Sequence, residues 1–259
     1  VIAWVSGQIA ASLYLASGGL SDVKDFGSFM TALGIVAGLI GTDFILLMLV
    51  LAARVPVIDR AVGHDRAIAL HRQLGKPALY LILGHAVLLL IGYGMSSGFD
   101  PIAEIGPMLA LPDMITAVVG TALLIAVVVT SLVAVRRKFP YEFWHVIHLL
   151  SYAAVLFALP HQLSIGGTLA DGTLQRVYWI GLYVIAIGAI VIFRVAVPLF
   201  KSWAHDIRVQ QVEWISPDVA SIHLTGRDLR ALGAGGGEFV IWRFWTAGTW
   251  WHSHPISLS

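Results

Sequence analysis

The sequence predicts an all-α membrane bundle of six transmembrane helices followed by the opening strands of a β-barrel. Three observations carry this. Hydrophobic residues fill 58% of the 259 positions and charged residues only 12%, where a soluble domain carries about 25% charged residues, and the mean hydropathy is +0.84. The apolar residues form long runs bounded by charges, several close to the roughly 20 residues that cross a hydrocarbon core. After Pro198 those runs give way to short β-prone stretches. An ordinary soluble enzyme is excluded as the whole molecule, and the chain divides into a membrane part, 1–200, and a second part, 201–259.

The apolar runs lie near 1–16, 30–53, 75–93, 114–135, 143–159 and 177–197. The first is short and contains Ser6, Gly7 and Gln8; the other five are stronger. Orientation follows from the Lys/Arg bias of short loops. Arg54, Arg60, Arg66, Arg72 and Lys76 lie between spans two and three, Arg136, Arg137 and Lys138 between four and five, and Arg194 and Lys201 close span six. The opposite loops hold Lys24 and Arg176 among Asp22, Asp25, Asp100, Glu104, Asp113 and Asp171. Both ends of the six-span unit are therefore expected on the cytoplasmic side.

Beyond span six, 208–213, 220–225 and 238–245 read as antiparallel strands separated by Ser216-Pro217-Asp218 and a glycine cluster. Gly233, Gly235, Gly236 and Gly237 read as a turn into a strand rather than a phosphate loop, because no GxxxxGK follows and no helix comes next. About 55 residues make only part of a barrel. The sequence starts at Val1 and stops at Ser259 inside a predicted strand, so a longer protein is expected at both ends.

Lys plus Arg is 16 and Asp plus Glu 15, and no basic run exceeds Arg136-Arg137-Lys138, which argues against nucleic acid as a partner. The chain has no cysteine, which removes disulfides, thiolate metal sites, iron-sulfur clusters and covalently attached haem. A metal would be held mainly by nitrogen or oxygen, and ten histidines are the candidates.

Span three carries His71 at its cytoplasmic entrance and His85 fourteen residues on, about 21 Å along the axis and about 40° apart in azimuth. Span five carries His148 and His161, thirteen residues and about 20 Å apart. Pairing His71 with His148 and His85 with His161 stacks two bis-imidazole sites, each suited to a b-type haem. In a straight helix His148 and His161 would diverge by about 140°, so His161 must be re-aimed, and Pro160 before it can kink or end the helix. His145, one turn before His148, is the competing ligand; His148 matches the depth of His71 better. His64 and His145 fit interface packing. Asp43, midway along span two, reads as a structural group bonded to a neighbouring helix, with a proton relay as the alternative.

Several motifs go further. Ala53-Arg54-Val55-Pro56, Asp59-Arg60, Gly63-His64-Asp65-Arg66 and His71-Arg72 with Gly75, followed by His85 and the second histidine pair, resemble the ferric reductase-like transmembrane family that includes the NADPH oxidases. His254-Pro255-Ile256-Ser257-Leu258-Ser259 resembles that family's flavin motif, His-Pro-Phe-Ser/Thr-x-Ser, with Ile256 in place of Phe. The resemblance implies haem ligation by His71 and His148 on the inner side and by His85 and His161 on the outer side. It also implies FAD binding by His254, Pro255 and Ser257 in a ferredoxin reductase-like barrel, with Ser257 near the flavin ring. The implied path is NADPH or NADH, FAD, inner haem, outer haem and a small external acceptor, a ferric chelate or oxygen, in a bacterial cytoplasmic membrane. The nicotinamide domain would lie outside these residues.

Arg72 and Lys76 lie within about a turn of His71 and either pair with haem propionates or snorkel to lipid headgroups. Pro77 is expected to kink span three beside the inner site. Arg176 and Gln162 are the polar groups nearest the outer site by depth, and 96–113 holds no Lys or Arg, which leaves the acceptor open. Trp242, Trp245, Trp250 and Trp251 read as packing residues. Two other classes compete: a di-haem cytochrome b subunit of a quinone-linked dehydrogenase, which would lack a flavin motif, and a transporter with structural histidines, which would be colourless. The sequence assigns no oligomeric state.

Overall fold

The computed structural model describes every residue except 1, 166–168, 233–234, 238, 247–253 and 259. The chain separates into two units, 1–191 and 192–259. In the first, the helices are α1 (Ile2–Ala16), α2 (Phe26–Ala52), α3 (Pro56–Val62), α4 (His64–Ser97), α5 (Ile105–Leu109), α6 (Met114–Ser131), α7 (Val133–Arg136), α8 (Tyr141–Ser164) and α9 (Leu174–Ile190). A π-helical stretch, Val191–Ala196, and α10 (Val197–His205) follow.

Among the described residues five helical runs are long and apolar enough to cross a membrane: α2, α4, α6, α8 and the run Leu174–His205. The sixth expected span, α1, has 15 described helical residues, about 22 Å at 1.5 Å per residue, short of a full hydrocarbon core. The spans also begin and end away from the apolar runs. α2 starts at Phe26 because Asp25 and Ser28 form a capping box: the Ser28 N–H donates to Asp25 Oδ1 at 2.8 Å, and Ser28 Oγ accepts from the Asp25 N–H at 3.0 Å. α4 starts at His64, eleven residues before the apolar run, where Gly63 at φ +89° separates it from α3. Its charged first turns are helical because the charges can face outward. The π turn near the end of the last run sits ahead of Pro198, which has no N–H to continue the i→i+4 ladder.

α2 is the centre of the bundle. Leu46 and Leu49 pack with Ala10, Val155, Trp179, Tyr183 and Ala186 of α1, α8 and α9, while Met48 and Leu51 pack with Ala3, Ala67, Leu74 and Ala78 of α1 and α4. Leu79, Leu124 and Ala154 join α4, α6 and α8. Small residues permit the closest approaches, as membrane helix packing requires. A Cβ at Gly41 would meet Ile82 at 2.9 Å, and one at Gly120 would meet the Ala154 carbonyl at 2.8 Å.

Among its described residues the second unit contains two antiparallel pairs. β1 (Arg208–Ser216) and β2 (Val219–Thr225) form a hairpin around Pro217-Asp218. After a 3₁₀ turn, Leu229–Leu232, β3 (Phe239–Trp242) pairs with β4 (His254–Ser257). The predicted strands are present, but the two pairs remain separate two-stranded sheets and no closed barrel forms among the described residues. Gly235–Gly237 leads into β3, with Gly237 at φ +87° and its N–H donating to the Leu258 carbonyl at 2.9 Å. A strand follows the glycines, as a turn requires. Gly233 and Glu238 lie outside the described residues.

Candidate functional site

α4 and α8 bring the four span histidines together as two pairs. The ring centroids of His71 and His148 are 6.0 Å apart, and those of His85 and His161 are 6.5 Å apart. The divergence expected between His148 and His161 is therefore overcome within α8, which stays helical to Ser164 and contains Pro160, where one backbone donor is missing. Pro77 likewise lies inside a helix, α4, that continues past it to Ser97.

The neighbours of the rings fix their tautomers. The Nδ1–H of His71 donates to the Met48 carbonyl at 3.1 Å, and that of His85 to the Gly34 carbonyl at 2.9 Å. A carbonyl only accepts, so in both rings the proton sits on Nδ1 and the Nε2 lone pair is left free. Gly38 makes room for His85, since a Cβ there would lie 2.5 Å from Nδ1. His148 has a different support. Ser131 donates its hydroxyl to the Val127 carbonyl at 2.7 Å, and its Oγ accepts from Trp144 Nε1–H at 3.2 Å and from His148 Nδ1–H at 3.3 Å. The indole of Trp144 stacks on the His148 ring, centroids 5.0 Å apart, and the Arg136 guanidinium lies 4.7 Å from the indole centroid. His161 Nδ1 is buried with no hydrogen-bond partner among the described residues.

His145 stacks on Tyr141, centroids 5.6 Å apart and planes 9° apart, whereas His148 faces His71. His64 is half-buried beside Asp59, 3.3 Å from its carboxylate. Arg72 and Lys76 are exposed on α4 and make no ion pair among the described residues. On the opposite side Arg176 donates to the Leu163 and Leu169 carbonyls and pairs with Asp171 at 3.0 Å. Gln162 donates to Thr42 at 3.5 Å. Both are engaged with the protein itself. Asp43 is 2% exposed; its Oδ1 accepts from Ser6 at 2.7 Å, and its Oδ2 has no partner among the described residues. It lines a cavity of about 80 Å³ with Ser6, Leu46, Leu47, Val50, Leu182 and Ile185. The bond from Ser6 joins α1 to α2.

In the second unit, His254 pairs with Trp242 in register and Ser257 with Phe239. The His254 ring is 5.8 Å from Phe244, and Ser257 is exposed. Pro255 sits opposite Ile241 in β4, which pairs with one strand among the described residues. Trp242 is half-buried and Trp245 exposed; Trp250, Trp251 and Ser259 lie outside the described residues.

Ser131, Trp144, Gly38 and the α2 carbonyls were not evident as site residues from composition. Trp144 was the most legible of them, because four residues before His148 places it on the same helix face.

A multi-pass helical membrane protein with two levels of facing imidazoles is the class that fold and site define. Residues 37–159 match the family model described as ferric reductase-like transmembrane component, and over that segment the chain is similar to this family. The matched segment contains His71, His85 and His148 and ends two residues before His161. No curated protein and no solved structure matches the chain.

Proposed function

We propose that the chain carries electrons from cytoplasmic NADPH or NADH, through FAD and two b-type haems, to an external acceptor, either a ferric chelate or oxygen. The observation that carries the reading is the spacing of the two imidazole pairs, 6.0 and 6.5 Å. Two metal–nitrogen bonds of about 2.0 Å and two half-rings of about 1.2 Å would put the centroids of axial imidazoles about 6.4 Å apart. No group of three or more His, Cys, Asp or Glu side chains suited to a metal occurs among the described residues. A bare ion would want three or four protein ligands, whereas a macrocycle brings four nitrogens of its own and needs only the two axial ones. The donor set thus fits haem.

The haems supply one-electron redox chemistry at two depths. The chain's own residues do the rest. His71 and His148 hold the inner level, His85 and His161 the outer one, and the Met48 and Gly34 carbonyls keep the Nε2 atoms of the α4 ligands unprotonated. His85 and His161 would hold the outer haem from both sides, and it would supply one-electron reduction to an acceptor that does not bind the metal. Arg72 and Lys76, exposed beside the inner level, are placed for propionates. α1 is the sixth span, both ends of the bundle face the cytoplasm of a bacterial cell, and the second unit opens the FAD barrel, with His254, Pro255 and Ser257 at the flavin.

A dithionite-reduced minus oxidised spectrum of the purified protein tests this first; a colourless protein refutes it. Ligand variants then test the order. His71→Ala or His148→Ala should lower haem content and stop rapid reduction of the remaining haem by nicotinamide in the full-length protein. His85→Ala or His161→Ala should leave an inner haem that is still reduced but delivers little to an external acceptor. His145→Ala should retain both haems; if it loses one while His148→Ala keeps two, the inner pair is His71 with His145.

A further inference from the structure

We propose that Ser131 and Trp144 are positioning residues for His148, setting the orientation and electron donation of one axial ligand through side chains. This rests on the reading of His148 as a haem ligand. The four ring histidines differ in what their Nδ1 atoms meet. His71 and His85 hang on backbone carbonyls of α2, His161 Nδ1 has no partner among the described residues, and His148 donates to a hydroxyl.

That hydroxyl has a defined polarity. Because Ser131 gives its proton to the Val127 carbonyl, its oxygen can only accept from the two N–H groups that approach it, Trp144 Nε1–H and His148 Nδ1–H. The His148 proton is therefore fixed on Nδ1 and its Nε2 is the free nitrogen of the pair with His71. The indole, tethered to the same oxygen, lies against the imidazole at 5.0 Å with 29° between planes and limits its rotation. Arg136 lies over the indole at 4.7 Å and holds it there. Hydrogen bonding at Nδ1 raises the basicity of the ligating nitrogen and favours the oxidised metal, so the clamp bears on the redox potential of one haem of the two.

The test is potentiometric titration and low-temperature electron paramagnetic resonance of the full chain with its haems. Ser131→Ala should retain two haems, raise the midpoint of one, alter that haem's low-spin signal and leave the other unchanged. Ser131→Thr, which keeps the hydroxyl, should restore the wild-type values. Trp144→Phe should give a smaller shift than Trp144→Ala, because it keeps the stack and loses only the N–H. Haem transfer from Trp144→Ala to an apo-globin should be faster by on the order of 10-fold for one haem. If His148→Ala loses a haem yet Ser131→Ala and Trp144→Ala leave both midpoints and signals unchanged, or shift both haems alike, the positioning role is overturned while the ligand assignment survives. If His148→Ala keeps two haems, the ligand assignment fails, and this inference with it.

Discussion

Gly38→Ala offers a sharp test of the outer level. A Cβ at this position would lie 2.5 Å from His85 Nδ1 and 2.9 Å from its Cε1, where ordinary contact begins at 3.4 Å. Relief requires the ring to move by about 0.9 Å against α2, because the opposing atoms repel steeply inside contact distance. A metal–ligand bond tolerates about 0.2 Å, so the shift is several times what axial ligation allows. Strain of overpacking costs about 1–3 kcal/mol, and replacing Gly by Ala within a helix returns about 1 kcal/mol. The bundle should survive while the outer haem does not. Haem per polypeptide, counted from difference spectra, should fall from two to about one, and the remaining low-spin signal should be that of the inner haem. Gly181→Ala is the control: it lies on α9 with nothing among the described residues within 4 Å of the added carbon and should keep both. A Gly38→Ala protein with two haems and unaltered signals would refute the reasoning.

Three further outcomes are expected. In the full-length protein Ser257→Ala should slow reduction of the haems by nicotinamide in stopped-flow measurements with both haems still bound; unchanged rates would remove Ser257 from the flavin site. A reporter fused after Lys201 should be cytoplasmic and one inserted near Asp171 external, following the Lys/Arg bias, and an external signal from the first would reverse the proposed electron path. The Ser28 N–H and hydroxyl hold the exposed Asp25 carboxyl below the usual carboxylate range. Its contribution to the first turn of α2 should therefore be complete above the ordinary carboxylate pKa and vanish as pH falls through the lowered one. Amide exchange at Ser28 should report this, and Asp25→Asn should abolish the pH dependence.

The paired histidines were legible because helical periodicity is a strict ruler: fourteen residues return a side chain to nearly the same face. Thirteen do not, and the 6.5 Å approach of His161 to His85 could not be read from spacing, since thirteen residues of a straight helix leave His148 and His161 about 140° apart. The start of α4 was misplaced for a related reason. Hydropathy detects the part of a helix that sits in lipid, whereas Gly63 and the solvent-facing charges of 64–74 let the same helix run on outside it. The role of α2 was hidden because the groups it offers to His71 and His85 are main-chain carbonyls, which no residue type announces. The strands were placed within a few residues by alternation and turn chemistry, but their association into a barrel depends on long-range pairing that local pattern does not encode.

The carbonyls of Met48 and Gly34 belong to peptide bonds, and every residue type carries one. No single substitution at 48 or 34 deletes the acceptor, so for the α4 imidazoles this anchor is beyond the reach of most heritable change. The α8 side is open to it: a one-residue replacement at 131 removes the anchor of His148, and among the described residues His161 has none to lose. Lineages selected for a different working potential should therefore diverge on α8 and at the end of α6, while α2 varies only where a larger side chain would block the rings.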